Sequence, residues 1–310
     1  MYSASKAFFY ALSRSAALKQ LTSKYGMATK DSFARRFIAG ETIEEAIDCA
    51  RTLQAQGLLL TLDYLGESVR TMEEATAATR EYLRLMDVIV ASGIERNISL
   101  KLTQLGVDVD RATCVDNLRR ILDPGARHGF FVRIDMENSP YTEVTLEIFE
   151  TLWQQDYRNV GVALQAQLLH TERDVRRMNE LGARVRLVKG AYKEPASVAY
   201  QQKTAVEDAF IRLTRLLLDE GTYPAIATHD PAMIAQTRTH VMGRHIARDR
   251  FEFQMLYGIR RDLQRSLAAE GYRMRIYLPF GRQWFPYFMR RLGERPENVA
   301  FVLKALMRER

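Results

Sequence analysis

The chain has 310 residues, of which 47% are hydrophobic and 27% are charged, values typical of a globular protein with an ordinary core. Its formal charge of +7 comes from dispersed Lys and Arg residues without a basic tail, so nucleic acid is not an expected partner. No apolar run approaches roughly 18 residues and no clear signal-peptide pattern opens the chain, which argues against a membrane span and favours a cytoplasmic location.

The first part of the chain is predicted to be helical. Ser3–Leu21 and Ser32–Ala39 carry apolar residues at helical spacing. Thr42 and Glu45 have the spacing of a capping box, which predicts a helix from there to about Gln56. We therefore expect residues 1–56 to form a helical segment packed on the rest of the chain.

Beyond Gly57, short apolar or alternating runs recur, and each is followed by a helical pattern. Eight runs are predicted to be strands: Leu58–Tyr64, Ile98–Leu105, Phe130–Met136, Val160–Gln165, Arg184–Val188, Ala225–Thr228, Phe251–Leu256 and Met274–Leu278. Eight β/α units over roughly 250 residues are typical of a TIM-type barrel. The fold class is therefore α/β, a (β/α)8 barrel over residues 57–310 with C-terminal helices and an N-terminal helical extension. A doubly wound open sheet is the alternative, but no G-x-G-x-x-G motif supports it.

In such a barrel the active site lies at the C-terminal ends of the strands. Lys101 and Asp135 each stand between apolar neighbours in a predicted strand, and a charge inside a closed barrel needs a partner or a function. Other polar side chains at predicted strand ends are Gln165, Arg186, Thr228, His229 and Tyr277. Lys189 precedes Gly190 and Ala191, a small turn that lets backbone N–H groups approach an anion.

The helical segment after the last strand carries Tyr287, Arg290, Arg291 and Glu294 on one face, at i, i+3, i+4 and i+7. A pair of arginines suits a small carboxylate, because each guanidinium offers parallel N–H donors. The same pattern also fits an ordinary solvated helix face. The position after a final strand favours the binding site.

The chemistry indicated by these residues is limited. Cations outnumber carboxylates among the candidates, so the site is expected to bind anions. No nucleophile stands beside a base, and neither the five histidines nor Cys49 and Cys114 have metal-ligand spacing, so no metal is expected. These patterns predict a barrel enzyme for a small carboxylate, with a phosphate-bearing redox cofactor.

At these residues the chain resembles the proline dehydrogenases, in particular the monofunctional bacterial type. The resemblance covers the barrel and rests on motifs in this order: Ser99–Thr103, Arg133–Glu137, Leu164–Ala166, Arg186–Tyr192, Ala227–His229, Phe253–Gly258, Arg275–Tyr277 and Tyr287–Glu294. It implies oxidation of L-proline to Δ1-pyrroline-5-carboxylate by hydride transfer to FAD, as the first step of catabolism to glutamate.

The resemblance also implies roles for individual residues. Lys101, Arg290 and Arg291 would hold the proline carboxylate, and Glu294 would orient the two arginines. Leu256, Tyr277 and Tyr287 would enclose the ring. Asp135 would organise the charged groups, and Arg186 would stabilise charge on the reduced flavin. The implied FAD contacts are Met136, Gln165, Arg186, Val188, Lys189, Gly190, Ala191, Thr228 and His229.

A membrane quinone would be the electron acceptor, with peripheral attachment at the inner face of the cell membrane. Because 310 residues do not accommodate a fused aldehyde dehydrogenase, a separate pyrroline-5-carboxylate dehydrogenase is expected. Three alternatives remain from the sequence: another flavin barrel such as a methylenetetrahydrofolate reductase, a hydroxyproline oxidase, and a non-catalytic ligand-binding barrel.

Overall fold

A computed structural model describes residues 32–294 of the chain, apart from the side chains of Phe33 and of residues 290–294. The predicted helix Ser3–Leu21 and the part of the predicted C-terminal helices that follows Glu294 lie outside these residues. The predicted division of the chain at residue 57 stays a prediction.

The described residues alternate between strands and helices. The strands are β1 Leu59–Tyr64, β2 Asn97–Leu100, β3 Phe131–Ile134, β4 Val160–Gln165, β5 Val185–Val188, β6 Ala225–Ala227, β7 Glu252–Leu256 and β8 Met274–Phe280. The α-helices are α1 Ile43–Gln54, α2 Met72–Ser92, α3 Arg111–Arg127, α4 Thr142–Gln154, α5 Thr171–Glu180, α6 Lys203–Glu220, α7 Pro231–Gly243, α8 Arg261–Ala269 and α9 Trp284–Glu294.

The eight strands form one closed parallel barrel in sequence order. β8 returns to β1 with a register that runs from Leu59 opposite Arg275 to Tyr64 opposite Phe280. A closed sheet has no free edge, and its helices cover the outside. The predicted (β/α)8 fold is confirmed, and the open-sheet alternative is excluded.

All eight predicted strands are present, but the second is shorter than expected. β2 ends at Leu100, and Leu102–Gln104 form a 3-10 turn in which the Gln104 N–H donates to the Lys101 carbonyl at 3.2 Å. Apolar residues continue to Leu105 because the turn is buried, not because the strand continues. Lys101 therefore begins the loop at the barrel mouth.

The predicted capping box at the start of α1 is largely confirmed. The Thr42 hydroxyl accepts from the Glu45 N–H at 3.3 Å. The Glu45 carboxylate accepts from the Glu41 N–H at 2.7 Å, one residue earlier than the standard motif. Before α1, only Phe33–Arg36 of the predicted Ser32–Ala39 helix is helical, as a 3-10 turn.

A second apolar cluster joins this N-terminal part to α9. Phe288 is buried against Phe37, with ring centroids 6.0 Å apart, and against Trp284 at 5.7 Å. Tyr277 of β8 and Tyr287 of α9 belong to the same cluster. α9 is therefore held over the barrel mouth by packing rather than by strand pairing.

The opposite end of the barrel is closed by buried ion pairs. Arg275 of β8 donates to both carboxylate oxygens of Glu252 at 2.7 and 2.9 Å, and to Glu95 at 2.8 Å. Arg275 also donates to the Leu60 carbonyl, so this side chain spans the seam between β8 and β1. Between residues 32 and 294 no helix combines the length and the apolar character that a membrane crossing requires.

Candidate active site

A cavity of about 540 Å³ opens at the C-terminal ends of the strands. Every predicted site residue whose side chain is described lines this cavity: Lys101, Asp135, Met136, Gln165, Arg186, Val188, Lys189, Gly190, Ala191, Thr228, His229, Leu256, Tyr277 and Tyr287. These residues come from seven loops or strands and from α9. The barrel has therefore brought together side chains that lie far apart in the sequence.

Asp135 and Arg186 form the centre of the site. Asp135 follows β3, and its Oδ1 atom accepts from the Arg186 guanidinium of β5. Its Oδ2 atom accepts from the Tyr277 hydroxyl at 2.6 Å. The Arg186 guanidinium also lies over the Tyr277 ring, 5.2 Å from its centroid. Burial, followed by the Asp135 charge, raises the pKa of Tyr277 well above its ordinary value, so the phenol remains a proton donor.

Lys101 lies between two carboxylates. Its Nζ atom is 3.5 Å from Asp63 Oδ2 and 3.9 Å from Asp135 Oδ2. Burial lowers the pKa of Lys101, but the two carboxylates outweigh it and leave the pKa above its ordinary value. Burial raises the pKa of Asp63 more than Lys101 lowers it. Lys101 is therefore a fixed cation at the barrel mouth.

Arg186 has two further hydrogen-bond partners deeper in the barrel. Its Nη2 atom donates to the Ser99 hydroxyl at 3.0 Å, and its Nε atom donates to Gln254 Oε1 at 2.6 Å. Gln254 in turn donates through Nε2 to Glu252. Only 4% of the surface of Arg186 is exposed, and all three of its nitrogen positions are bonded, so the orientation of the guanidinium is fixed.

Glu137 lies beside this centre and is held by the turn after β2. Its Oε1 atom accepts from the Thr103 hydroxyl at 2.6 Å, and its Oε2 atom accepts from the Thr103 N–H at 3.2 Å. Its carbonyl accepts from Gln165 Nε2 at 2.8 Å. Burial raises the pKa of Glu137 to about 7 despite these hydrogen bonds. Glu137 thus titrates near neutral pH at the edge of the site.

The opposite wall is formed by the segments after β5 and β6. Lys189 Nζ is 2.8 Å from Asp230 and 3.1 Å from Glu207. Gly190 has φ +121°, a conformation that a side chain disfavours. His229 Nε2 accepts from the Leu256 N–H at 2.9 Å. This wall combines the Lys189 cation, the accessible backbone of Gly190 and small apolar residues such as Ala191. These groups suit a large ligand that has both a charged group and a planar ring.

Cations outnumber carboxylates in the described lining of the cavity, as expected from the sequence, but these cations are paired with carboxylates. Lys101 and Arg186 face Asp63 and Asp135, and Lys189 is paired with two carboxylates. Arg290, Arg291 and Glu294 belong to α9, but their side chains lie outside the described residues. Tyr287, one turn earlier on the same helix, lines the cavity with 6% of its surface exposed.

Sequence reasoning missed Asp63 and Gln254 as site residues, although the signal that identified Lys101 and Asp135 was present. Asp63 is fully buried between Leu62 and Tyr64 of β1. Gln254 stands between Phe253 and Met255 of β7 and lines the cavity. A polar residue inside an apolar strand is the shared signal. Other lining residues absent from the predicted site are Ala163, Tyr192, Lys203, Ala227, Asp230 and Met255.

Comparisons with known proteins identify similar chains over most of this sequence. Proline dehydrogenase 1 of Bacillus subtilis (strain 168) is 42% identical over 301 residues, covering 97% of this chain and 98% of the relative. Proline dehydrogenase of Deinococcus radiodurans is 41% identical over 281 residues, covering 89% and 91%. The crystal structure of proline utilization A from Bdellovibrio bacteriovorus, inactivated by N-propargylglycine, matches with a TM-score of 0.79 and 27% identity.

That structure aligns over 84% of this chain, which spans 32% of the larger protein. The family model described as Proline dehydrogenase matches residues 46–304, from within α1 through the whole barrel and α9. The match includes every strand end that contributes to the cavity. With relatives above 40% identity along nearly all of their length, these findings establish that the chain belongs to the proline dehydrogenase family.

Proposed function

We propose that this chain oxidises L-proline to Δ1-pyrroline-5-carboxylate, the first step of proline catabolism to glutamate, with FAD as cofactor. The observation that carries the proposal is the buried cluster of Lys101, Asp135, Arg186 and Tyr277 at the barrel mouth. The described lining of the cavity contains no serine or cysteine, the commonest nucleophiles of covalent hydrolysis. A site made mainly of charged and aromatic binding groups suits a reaction that a cofactor carries.

The described residues fit FAD. The cavity of about 540 Å³ lies within the range of roughly 300–1,000 Å³ typical of ligand sites. Met136 and Val188 offer apolar contacts for a flat ring, and Lys189 with the Gly190 backbone suits a phosphate. When bound, FAD supplies the hydride acceptor. We assign its contacts to Met136, Gln165, Arg186, Val188, Lys189, Gly190, Ala191, Thr228 and His229.

The substrate lies against the other side of the cavity. Leu256, Tyr277 and Tyr287 enclose the proline ring, and Lys101 attracts its carboxylate. Arg290 and Arg291 follow Tyr287 by three and four residues in α9, a spacing that supports their role as a fork for the carboxylate. Glu294, at i+4 from Arg290, orients the fork. This set favours a small imino acid over a folate.

The reaction removes a proton from the proline nitrogen and a hydride from C5, leaving a C=N bond. The fixed positive charges of Lys101 and Arg186 disfavour the substrate ammonium and so promote loss of its proton. Arg186 also stabilises the negative charge that the cofactor gains. Asp135 acts on the reaction by holding Arg186 and Tyr277 in place.

We further propose that a membrane quinone accepts the electrons, with peripheral attachment of the protein at the inner face of the cell membrane. A separate pyrroline-5-carboxylate dehydrogenase takes the product. The two relatives named proline dehydrogenase support the proposal of a separate enzyme. Each is matched over 91% or more of its own length, so neither of these relatives has room for a second catalytic domain.

Anaerobic titration tests the proposal directly. The purified protein, containing FAD, is expected to lose its visible flavin absorbance on addition of L-proline. A cyclic ether analogue, with oxygen in place of nitrogen, cannot form the C=N bond and should perturb the spectrum without bleaching it. Hydroxyproline, measured in parallel, separates a proline dehydrogenase from a hydroxyproline oxidase. An unchanged spectrum with L-proline would overturn the proposed function.

A further inference from the structure

Gln254 occupies an unusual place in the barrel, between the active site and the buried ion pairs at the opposite end. Only 4% of the surface of Gln254 is exposed. On one side its Oε1 atom accepts from Arg186 Nε at 2.6 Å. On the other side its Nε2 atom donates to Glu252, which is held by Arg275. The amide of Gln254 thus bridges the Arg186 guanidinium and the Glu252 carboxylate.

The orientation of this amide follows from chemistry. Burial raises the pKa of Glu252, but the charge and hydrogen bonds of Arg275, together with the Gln254 hydrogen bond and the Arg133 charge, outweigh it and hold the pKa below its ordinary value, so Glu252 is ionised. An ionised carboxylate only accepts hydrogen bonds, so the amide NH2 must face Glu252 and the oxygen must face Arg186. Arg186 Nε only donates, which requires the same orientation. The opposite orientation would place the amide oxygen against the Glu252 carboxylate and the amide NH2 against the Arg186 N–H.

Arg186 depends on this contact. Its Nη1 and Nη2 atoms, the two terminal nitrogens of the guanidinium, are held by Asp135 and Ser99. The bond from Nε to Gln254 holds the group at the nitrogen nearest the side-chain stem. Hydrogen bonds to charged groups are stronger than neutral ones, and loss of this one leaves a buried N–H without an acceptor.

We propose that Gln254 is a positioning residue for the reaction. It holds the Arg186 guanidinium in the orientation that stabilises charge on the cofactor, and it takes its own orientation from the Glu252–Arg275 pair. This inference rests on the proposed function. It adds a residue that acts through Arg186.

Gln254→Met tests the inference, because methionine keeps the length of the side chain and removes both hydrogen bonds. Three quantities are measured: the limiting rate of anaerobic flavin reduction by L-proline, the reduction potential of bound FAD, and the dissociation constant of the cyclic ether analogue. The rate should fall on the order of tenfold. The potential should become more negative, and the dissociation constant should stay within about twofold of wild type.

A double-mutant cycle with Arg186→Met separates positioning from general structure. If Gln254 acts through Arg186, the double variant reduces its flavin no more slowly than Arg186→Met alone. Tyr223→Phe is the matched control. It removes another hydrogen bond to Glu252, of 3.1 Å, without touching Arg186, and its rate and potential should equal those of wild type.

Three results would overturn the inference: a Gln254→Met protein with the rate and potential of wild type, losses that multiply in the double variant, or an equal loss in Tyr223→Phe. A wild-type protein that L-proline does not bleach would instead overturn the proposed function.

Gln254→Glu provides a second test where Gln254→Met does not fold. In its protonated form the introduced carboxyl group offers one acceptor and one donor, as the amide does, so the rate of this variant relative to wild type should rise as pH falls. The groups facing this position are Glu252, Arg186 and, beyond them, Arg275, Arg133 and Asp135. A relative rate that does not change with pH would contradict the inference.

Discussion

At the scale of single residues, the site consists of groups whose protonation is set by burial and by their neighbours. Lys101 and Tyr277 are held in their protonated forms, whereas Glu137 titrates near neutral pH. The Lys101 charge and the Tyr277 hydrogen-bond donor therefore do not change around neutral pH, whereas Glu137, at the edge of the site, changes its charge.

Glu137 makes a testable contribution to stability. Its pKa is about 7 in the folded protein and 4.5 in its ordinary state, so folding favours the protonated form. This contribution is fully present below pH 4.5 and is lost as pH rises through about 7. Glu137→Gln is neutral at every pH, so the free energy of unfolding of wild type relative to this variant should fall by up to roughly 3 kcal/mol across that range.

Urea unfolding of both proteins at pH 4.5, 6 and 8 measures this difference. Glu44→Gln, at an exposed position in α1, is the control and should show no comparable slope. A wild-type-minus-variant difference that is constant with pH would contradict the raised pKa of Glu137.

A site residue can be predicted from the sequence when its own neighbours in the chain mark it as unusual. Lys101 and Asp135 are recognisable because each is charged among apolar neighbours, and the structure brings them within 3.9 Å of each other. Asp63 has the same signal but no recognisable motif around it. The pairing of Gln254 with Arg186 joins residues 68 positions apart, and only the closed barrel determines that contact.

At the scale of elements, strands are easier to predict than the segments that follow them. Strand periodicity and β-branched residues indicate all eight strands. The predicted second strand wrongly includes the turn Leu102–Gln104, because a buried turn is as apolar as a buried strand. Ser32–Ala39 forms only a short 3-10 turn, since its apolar residues pack against α9 rather than along one helix face.

The packing of α9 predicts a selective effect on substrate binding. Phe288 is 1% exposed and holds α9 against Phe37, so Phe288→Ala removes packing worth roughly 3–5 kcal/mol. Because α9 carries Tyr287 and the arginine pair, the proline concentration for half-maximal rate should rise at least about tenfold. Because the proposed FAD contacts lie on the strands and their loops, the variant should keep the flavin absorbance of wild type.

Phe149→Ala is the matched control for this change. Phe149 is fully buried against Trp153 of α4, on the outside of the barrel. It should lower the melting temperature without a selective loss of proline affinity. An equal loss of proline affinity in both variants would mean that α9 has no special part in binding.

At the scale of the whole molecule, the active-site residues and the buried ion pairs that stabilise the barrel lie at opposite ends of its axis. The C-terminal ends of the strands carry the cavity, and the N-terminal ends carry the Arg275–Glu252–Glu95 network. Arg275 contacts β1, β7 and the loop before β2 from its place in β8. The pairing of β1 with β8 is therefore reinforced by a side chain that touches three neighbours.

Arg275→Met should destabilise the whole barrel. It leaves the buried Glu252 without its partner, and breaking such a pair costs about 3–5 kcal/mol. Arg273→Met, two residues earlier and exposed, is the control and should stay within about 0.5 kcal/mol of wild type. Urea unfolding followed by circular dichroism measures both. Equal stability of the two variants would contradict a role for Arg275 in barrel closure.

The attachment of α9 through side-chain contacts, apolar packing and the hydrogen bond from Trp284 Nε1 to Glu41 at 2.9 Å, has a consequence for how this enzyme family can diversify. Lys101, Asp135 and Arg186 are anchored by strands and their immediate loops, whereas Tyr287 is presented by a helix that is held through side-chain contacts. Under the proposed assignment, changes in that helix should alter which molecule is bound while the proposed cofactor contacts on the strands are kept. A library confined to α9 is therefore the natural place to search for altered imino-acid preference.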